Sequence, residues 1–317
     1  MMVPYISPKS QKVLLERGGQ LETEDGSERF PVVKGIPRFV SGEQYTEGFG
    51  LQWNTYKKTQ LDSYTGKPIS EERLRRCLGF DLEKLKGLTV LEAGCGPGRF
   101  TELFVKNGAL THSFDLSLAV EANLENVGSH PHFKLAQADI YQIPYPDDSF
   151  DIVCCLGVIQ HTPSPERTIE ALWKKVKPGG LLVIDHYKWR WSYYSTLKPL
   201  YRKILLLLPP QKAKRVIDKL VDFFFPIQWA VRDIRWLHRF INRFTPLIVH
   251  YHSYPGFTRD EYKEWARMDT MDSTTDVYKH LRTPRQIESI LQRLGGQNIW
   301  INEGGNGVEA RATKPFS

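Results

Sequence analysis

Cysteine is scarce: 317 residues contain four, Cys77, Cys95, Cys154 and Cys155. None belongs to a C-x-x-C pair, and the adjacent Cys154 and Cys155 make a strained couple, so the chain reads as having neither a disulfide framework nor a metal site. Long apolar runs are absent too. No run exceeds five residues, Ile204–Leu208 among them, against the roughly 18 that crossing a bilayer takes. The opening stretch MMVPYISPKSQKVLLERGG has no apolar core followed by a small-residue cleavage site, so no secretory signal is read and residence in the cytoplasm is expected. No repeat is evident at any period. Acidic excess is also missing: the net charge is +7. That charge is localised, because residues 187–250 hold 13 Lys and Arg against 3 Asp and Glu, together with 13 of the 38 aromatic residues.

What is present has a regular order. From Leu88 onward, the apolar runs LTVLEAG, THSFDLS, KLAQADI, FDIVCCLGV and GLLVIDHY alternate with longer mixed stretches, the order of a parallel sheet with crossover helices. Turn residues at Tyr145–Asp148 and Lys177–Gly180 separate them. A last helix is predicted from Pro284 to Leu294, stopped by Gly295 and Gly296 and followed by strands near 298–302 and 308–312. Upstream, Arg29–Val40 reads as a hairpin turning at Lys34 and Gly35, and a helix is expected to start at Ser70, with that serine as its cap. Nearly a hundred residues between the fifth strand and the last helix exceed any simple crossover. The expected organisation is an N-terminal extension (1–85), an α/β core (86–186 and 283–317) and an inserted helical cap (187–282).

The strongest local signal is Val90-Leu-Glu-Ala-Gly-Cys-Gly-Pro-Gly-Arg-Phe100, a strand entering a glycine-rich turn and then a helix. Gly94, Gly96 and Gly98 remove β-carbons that would hold a ligand away from the backbone. Alone, such a turn is weak evidence, since a tight turn also forms with no ligand. Three further features fall at strand ends, where open α/β sheets bind ligands. Asp115, 17 residues after Gly98 and beside Leu116, can accept both hydroxyls of a ribose. Asp139, between Ala138 and Ile140, can accept from the amine of an adenine. The fourth strand closes at Gly157, just before His161.

Taken together these motifs resemble the class I S-adenosylmethionine-dependent methyltransferases, and are similar to the branch that includes the ubiquinone and menaquinone biosynthesis enzymes. Glu92–Gly98 resembles the family's first motif, Asp115 its ribose acid, Ala138–Ile140 its adenine motif and Lys177–Leu181 the turn before its fifth strand. The resemblance implies a seven-stranded, mostly parallel, Rossmann-like sheet with an antiparallel seventh strand, and S-adenosyl-L-methionine as cofactor. Trp53, Glu92, Gly94, Gly96, Gly98, Asp115, Leu116, Ala138, Asp139, Ile140 and Gly157 become its candidate contacts. The spacing of Gly96 and Gly98 is shorter than in a dinucleotide fingerprint, and Glu92 suits a cationic ligand better than a pyrophosphate. Arg29–Arg38 also resembles the end of a small zinc-ribbon-like domain, but with no cysteine in that region zinc is not carried over.

Methyl transfer is an in-line displacement that mainly requires alignment and exclusion of water, with a base for some acceptors. His161, His250 and His252 are the candidates, each with the alternative of a packed or surface histidine. Trp53, near Tyr45 and Tyr56, either walls the cofactor, since rings attract a sulfonium, or packs the N-terminal segment. Asp269 and Asp272 either bind a hydroxylated acceptor or cap a helix. Between Gln228 and Phe244, Arg232, Arg235, Arg239 and Arg243 fall on one face of a helix, and Ile234, Leu237, Ile241 and Phe244 on the other. Such a helix rests on an anionic bilayer or receives a small-molecule acceptor that is lipid-linked or pyrophosphorylated, or else packs its apolar face on neighbouring helices and leaves its arginines in water. The rival functions are an RNA methyltransferase and an idle binding module using the same basic insertion, although no RNA-binding motif is present.

Overall fold

The structure is a computed structural model and describes residues 1–40, 45–251 and 256–316. The chain forms two compact units, one of residues 1–44, 60–189 and 278–317, the other of residues 45–59 and 190–277. The segment 45–59 thus groups with the insertion, apart from the rest of the N-terminal region.

The first unit opens with a four-stranded antiparallel sheet in sequential order, β1 (Leu14–Arg17), β2 (Gln20–Thr23), β3 (Arg29–Val33) and β4 (Ile36–Pro37). The β3–β4 turn is the one expected: Lys34 and Gly35 both take positive φ, 54° and 77°, as a two-residue hairpin turn of matching twist requires. Seven further strands follow: β5 (Thr89–Ala93), β6 (Leu110–Asp115), β7 (Phe133–Gln137), β8 (Phe150–Cys155), β9 (Val176–Tyr187), β10 (Gln297–Gly304) and β11 (Gly307–Thr313). Their spatial order is β10-β11-β9-β8-β5-β6-β7. β5, β6, β7, β8 and β9 run parallel, and β11 is antiparallel to both of its neighbours. This is the seven-stranded, mostly parallel, Rossmann-like sheet with an antiparallel β11 that the motifs imply. Its central strands are covered on both faces, with Leu91, Val153 and Ile184 buried on one and Val90, Ile152 and Val183 on the other, which is why they read as continuous apolar runs.

The last helix, Pro284–Arg293, starts where the sequence places it, on a capping box of Thr283 and Gln286. The helix Ile69–Leu78 differs in its cap. Ser70 lies inside it, and Asp62 caps instead, accepting the backbone amides of Ser70 and Glu71 at 2.9 and 2.8 Å. An acid eight residues upstream thus satisfies two of the orphan amides of the first turn, where the N-cap residue Pro68 offers no side-chain acceptor.

The second unit is helical. Its main elements are Glu47–Thr55, Lys198–Leu205, Pro210–Ala230, Arg235–Asn242 and Arg259–Thr275. The single amphipathic helix expected over 228–244 is in fact interrupted. Arg232 folds back, donating to the Trp229 carbonyl at 2.8 Å with its guanidinium 4.3 Å from that ring. It thereby satisfies a carbonyl at the end of Pro210–Ala230 and leaves the arginine row. The helix Arg235–Asn242 has no fully buried residue, so the predicted apolar face is not packed away. Among the described residues, no helix is long and apolar enough to cross a membrane.

Candidate active site

β5 delivers the chain into the glycine-rich loop at the carboxyl edge of the sheet. Gly94 has φ 72°, in the left-handed region that an L side chain disfavours. A β-carbon there would lie 2.8 Å from Val158 Cγ1 and closer still to Cγ2. The amides of Gly94 and Cys95 both donate to the Phe114 carbonyl, at 2.8 and 3.0 Å, and that of Gly98 to the Cys95 carbonyl at 3.1 Å. The Gly96 amide donates to Asp115 Oδ2 at 3.0 Å. Four loop amides are therefore already engaged within the protein. A phosphate nest needs such groups pointing outward, and these four do not.

Asp115 ends β6. Its Oδ1 accepts from the backbone amide and hydroxyl of Ser117, at 2.8 and 2.7 Å. Burial raises its carboxyl above the usual value, while the bonds from Ser117 and Gly96 pull it back. The side chain remains partly accessible at the sheet edge, and Oδ2, which accepts only the Gly96 amide, keeps a further lone pair. Asp139 follows β7 and is likewise half-buried, its Oδ1 accepting the Tyr141 amide at 2.9 Å. The two acids stand at neighbouring strand ends, linked by the Ala138 amide bonded to the Asp115 carbonyl at 3.0 Å. Leu116 is half-buried beside them, and Ala138 and Ile140 are buried.

Glu92 has a different place from the one its position in the motif suggests. It is buried below the loop and accepts the hydroxyls of Thr101 at 2.6 Å and Ser113 at 2.8 Å, so it ties strand, loop and helix together. Burial pushes its carboxyl up to about 7, against the lowering effect of those two hydroxyls. The fold therefore binds this proton more tightly than the unfolded chain does. Stability from this group is complete at low pH and declines as pH rises from the ordinary carboxylate range through about 7. Glu92→Gln, which cannot ionise, should be more stable than the parent at pH 8 by on the order of 3 kcal/mol, with the difference closing toward pH 4.5. Thermal denaturation across that range checks it, and a difference independent of pH would refute the role.

Gly157 closes β8 with φ 81°. Its amide donates to Asp185 Oδ1 at 2.6 Å, and this leads to a network that no sequence motif announced. Arg73, from Ile69–Leu78, bridges the fully buried side chains of Asp185 on β9 and Glu309 on β11. Arg76 clasps Glu309 with Nε and Nη2 at 2.8 and 2.7 Å. Burial raises Asp185 in spite of Arg73, whereas the two arginines hold Glu309 below its ordinary value against the same burial. Only the alternation of acids within otherwise apolar strands hinted at it.

His161 lies in the short turn Ile159–His161 after β8 and is buried. Its Nδ1 is 3.3 Å from the Tyr278 carbonyl, and its ring meets that of Tyr187 edge-on at 5.2 Å. A carbonyl can only accept, so this contact places the proton on Nδ1 and leaves Nε2 as the basic nitrogen.

The other candidates lie in the second unit. His250 Nε2 is paired with Asp269 Oδ2 at 3.2 Å; burial disfavours its charge, but Asp269 outweighs this and raises its pKa. Asp269 is thereby accounted for, and neither it nor Asp272 caps Arg259–Thr275, whose cap is Thr258 with Glu261. Trp53 is half-buried on Glu47–Thr55, and Tyr56 donates to Asp218 at 3.3 Å, so this aromatic segment packs within the helical unit. His252 lies outside the described residues.

Comparison with known proteins agrees with the strand-end geometry. Residues 91–184 match the family model described as a methyltransferase domain. Among curated relatives, the ubiquinone biosynthesis O-methyltransferase of Thiobacillus denitrificans is 30% identical over 145 residues, which are 44% of this chain and 58% of that protein. The phosphatidylethanolamine N-methyltransferase of Cereibacter sphaeroides is 26% identical over 137 residues, 42% of this chain and 66% of that protein. The chain thus spans about half the length of the curated relatives it matches. The crystal structure of magnesium protoporphyrin IX methyltransferase from Synechocystis with bound SAH covers 86% of this chain and 97% of its own, at 14% identity and a TM-score of 0.46.

Proposed function

We propose that the protein transfers a methyl group from S-adenosyl-L-methionine to a small-molecule acceptor with an apolar, lipid-like body or an anionic group. The observation that carries this is the pairing of two accessible carboxylates, Asp115 and Asp139, at adjacent strand ends, with a glycine loop whose amides are already engaged. That donor set fits a ribose and an adenine without a pyrophosphate. Asp115 would accept the ribose hydroxyls and Asp139 the adenine amine, with Leu116 and Ile140 beside the base. When bound, the cofactor supplies a methyl already activated by its sulfonium.

The chain's own residues then have modest tasks. The loop, fixed through Phe114 and Asp115, sets the position of the reacting carbon, and alignment accounts for much of such a rate. His161, with its proton on Nδ1, offers Nε2 to take a proton from an oxygen or nitrogen acceptor as the new bond forms. The half-lengths shared with an O-methyltransferase and an N-methyltransferase support both acceptor types.

Asp115→Ala is expected to weaken S-adenosylmethionine binding by about 1.5–3 kcal/mol, because charge-assisted hydrogen bonding to the ribose is lost. Isothermal calorimetry on parent and variant tests it. Absence of cofactor binding by the parent, or an unchanged affinity in the variant, would overturn the reading.

A further inference from the structure

The helical unit keeps an unusual amount of apolar side chain in water. On Arg235–Asn242 and its end, Trp236, Phe240 and Phe244 are 72%, 57% and 49% exposed, with the two phenylalanine rings 5.2 Å apart. Next to them stands the start of Lys198–Leu205: the Leu197 amide donates to the Arg243 carbonyl at 2.8 Å, and the Tyr201 hydroxyl to the Phe244 carbonyl at 3.3 Å. That helix adds Leu197, Leu200 and Ile204, exposed at intervals of three and four residues, hence on one face. Leu207, beyond its end, is 81% exposed. Two adjoining helical edges so form one apolar surface, larger than scattered exposed residues would make.

The charges around this surface are mostly positive, and the acid adjoining it, Asp233, is 3.3 Å from Arg232. Lys203, Arg235 and Arg239 are exposed and, among the described residues, have no acidic partner. The acids of the unit are largely spoken for elsewhere: Asp218 by Lys214, Asp222 by Lys263 and Arg267, Asp276 by Arg202, and Asp269 by His250. Aromatic and aliphatic side chains flanked by unneutralised cations match the interface of an anionic bilayer. There the rings settle at headgroup depth and each cation gains from the surface potential. A nucleic acid would use the cations but leave the aliphatic stripe in water.

We propose that this surface docks the protein on an anionic lipid bilayer, with Trp236, Phe240, Phe244 and Leu200 entering the headgroup region and Lys203, Arg235 and Arg239 engaging lipid phosphates. The proposal goes beyond methyl transfer and stands on the helical unit alone. Its test is flotation of the full-length protein with phosphatidylcholine vesicles, with and without phosphatidylglycerol. Binding is expected only with phosphatidylglycerol, falling as salt is raised. W236S/F240S/F244S and, separately, K203E/R235E/R239E should each lose about tenfold or more in vesicle affinity, while melting temperature and S-adenosylmethionine binding stay those of the parent. Bromine-labelled lipid should quench tryptophan fluorescence in the parent and much less in W236F. No binding of the parent to anionic vesicles at low salt overturns the proposal, as does equal binding by the aromatic triple variant. A concentration-dependent dimer that the triple variant abolishes would instead identify a second copy as the occupant. Failure of cofactor binding would count against the methyltransferase reading and leave vesicle binding unaffected.

Discussion

Replacing Arg73 by methionine should destabilise the protein by about 3–5 kcal/mol, the range for removing one partner of a buried ion pair. The guanidinium lies between two carboxylates with no exposed side-chain surface, Asp185 and Glu309. Methionine fills much of the volume but leaves Asp185 without its cation and Glu309 with Arg76 alone. Asp185 is raised by burial even with Arg73 present, and the variant should raise it further. An acid whose folded pKa lies above its unfolded one favours the fold at low pH and loses that contribution as pH rises. The deficit should therefore be largest at neutral pH and shrink on acidification. Chemical denaturation at two pH values measures both; a loss below about 1 kcal/mol, typical of surface pairs, or one constant with pH, would contradict the network. Because Asp185 also receives the Gly157 amide, the variant should weaken cofactor binding as well.

Gly94→Ala is expected to be the most damaging single change in the loop. Two penalties combine: a left-handed backbone conformation at φ 72°, costing an L residue roughly 1 kcal/mol, and collision of the new β-carbon with both γ-methyls of Val158. Overpacking of this kind adds about 1–3 kcal/mol. Since Gly94 and Cys95 hang on the Phe114 carbonyl, relief by moving the loop would displace the cofactor-binding edge, and affinity for S-adenosylmethionine should fall at least about tenfold. The double variant Gly94→Ala/Val158→Ala removes the colliding methyls but keeps the backbone strain, so it should recover part of the loss. Equal affinities for single and double variants would show that Val158 does not constrain the loop.

The local signals in the chain were sufficient for the sheet and the loop. Apolar runs separated by mixed stretches specify parallel strands because both faces are covered. The Pro284 helix, the Lys34-Gly35 turn and the strand ends at Asp115 and Asp139 follow from residues near one another in sequence. Caps, turns and periodicity depend on backbone sterics and on neighbours a few positions away, which a linear reading contains. What tertiary structure alone decided depends on partners remote in sequence. Glu92 reads as an acid facing a cationic ligand, yet hydroxyls from the following helix and the adjacent strand enclose it. Arg73, Asp185 and Glu309 come from three distant segments, and the helix at Ser70 takes its cap from Asp62. The arginine row from 232 to 243 has a helical period, but the helix stops at Ala230, where the Trp229 carbonyl takes the Arg232 guanidinium and the amides of Val231 and Arg232. Periodicity likewise states which residues share a face and is silent on whether anything packs against it. Only the assembled unit leaves Trp236, Phe240 and Phe244 in water, because burial is a property of what surrounds a side chain in space.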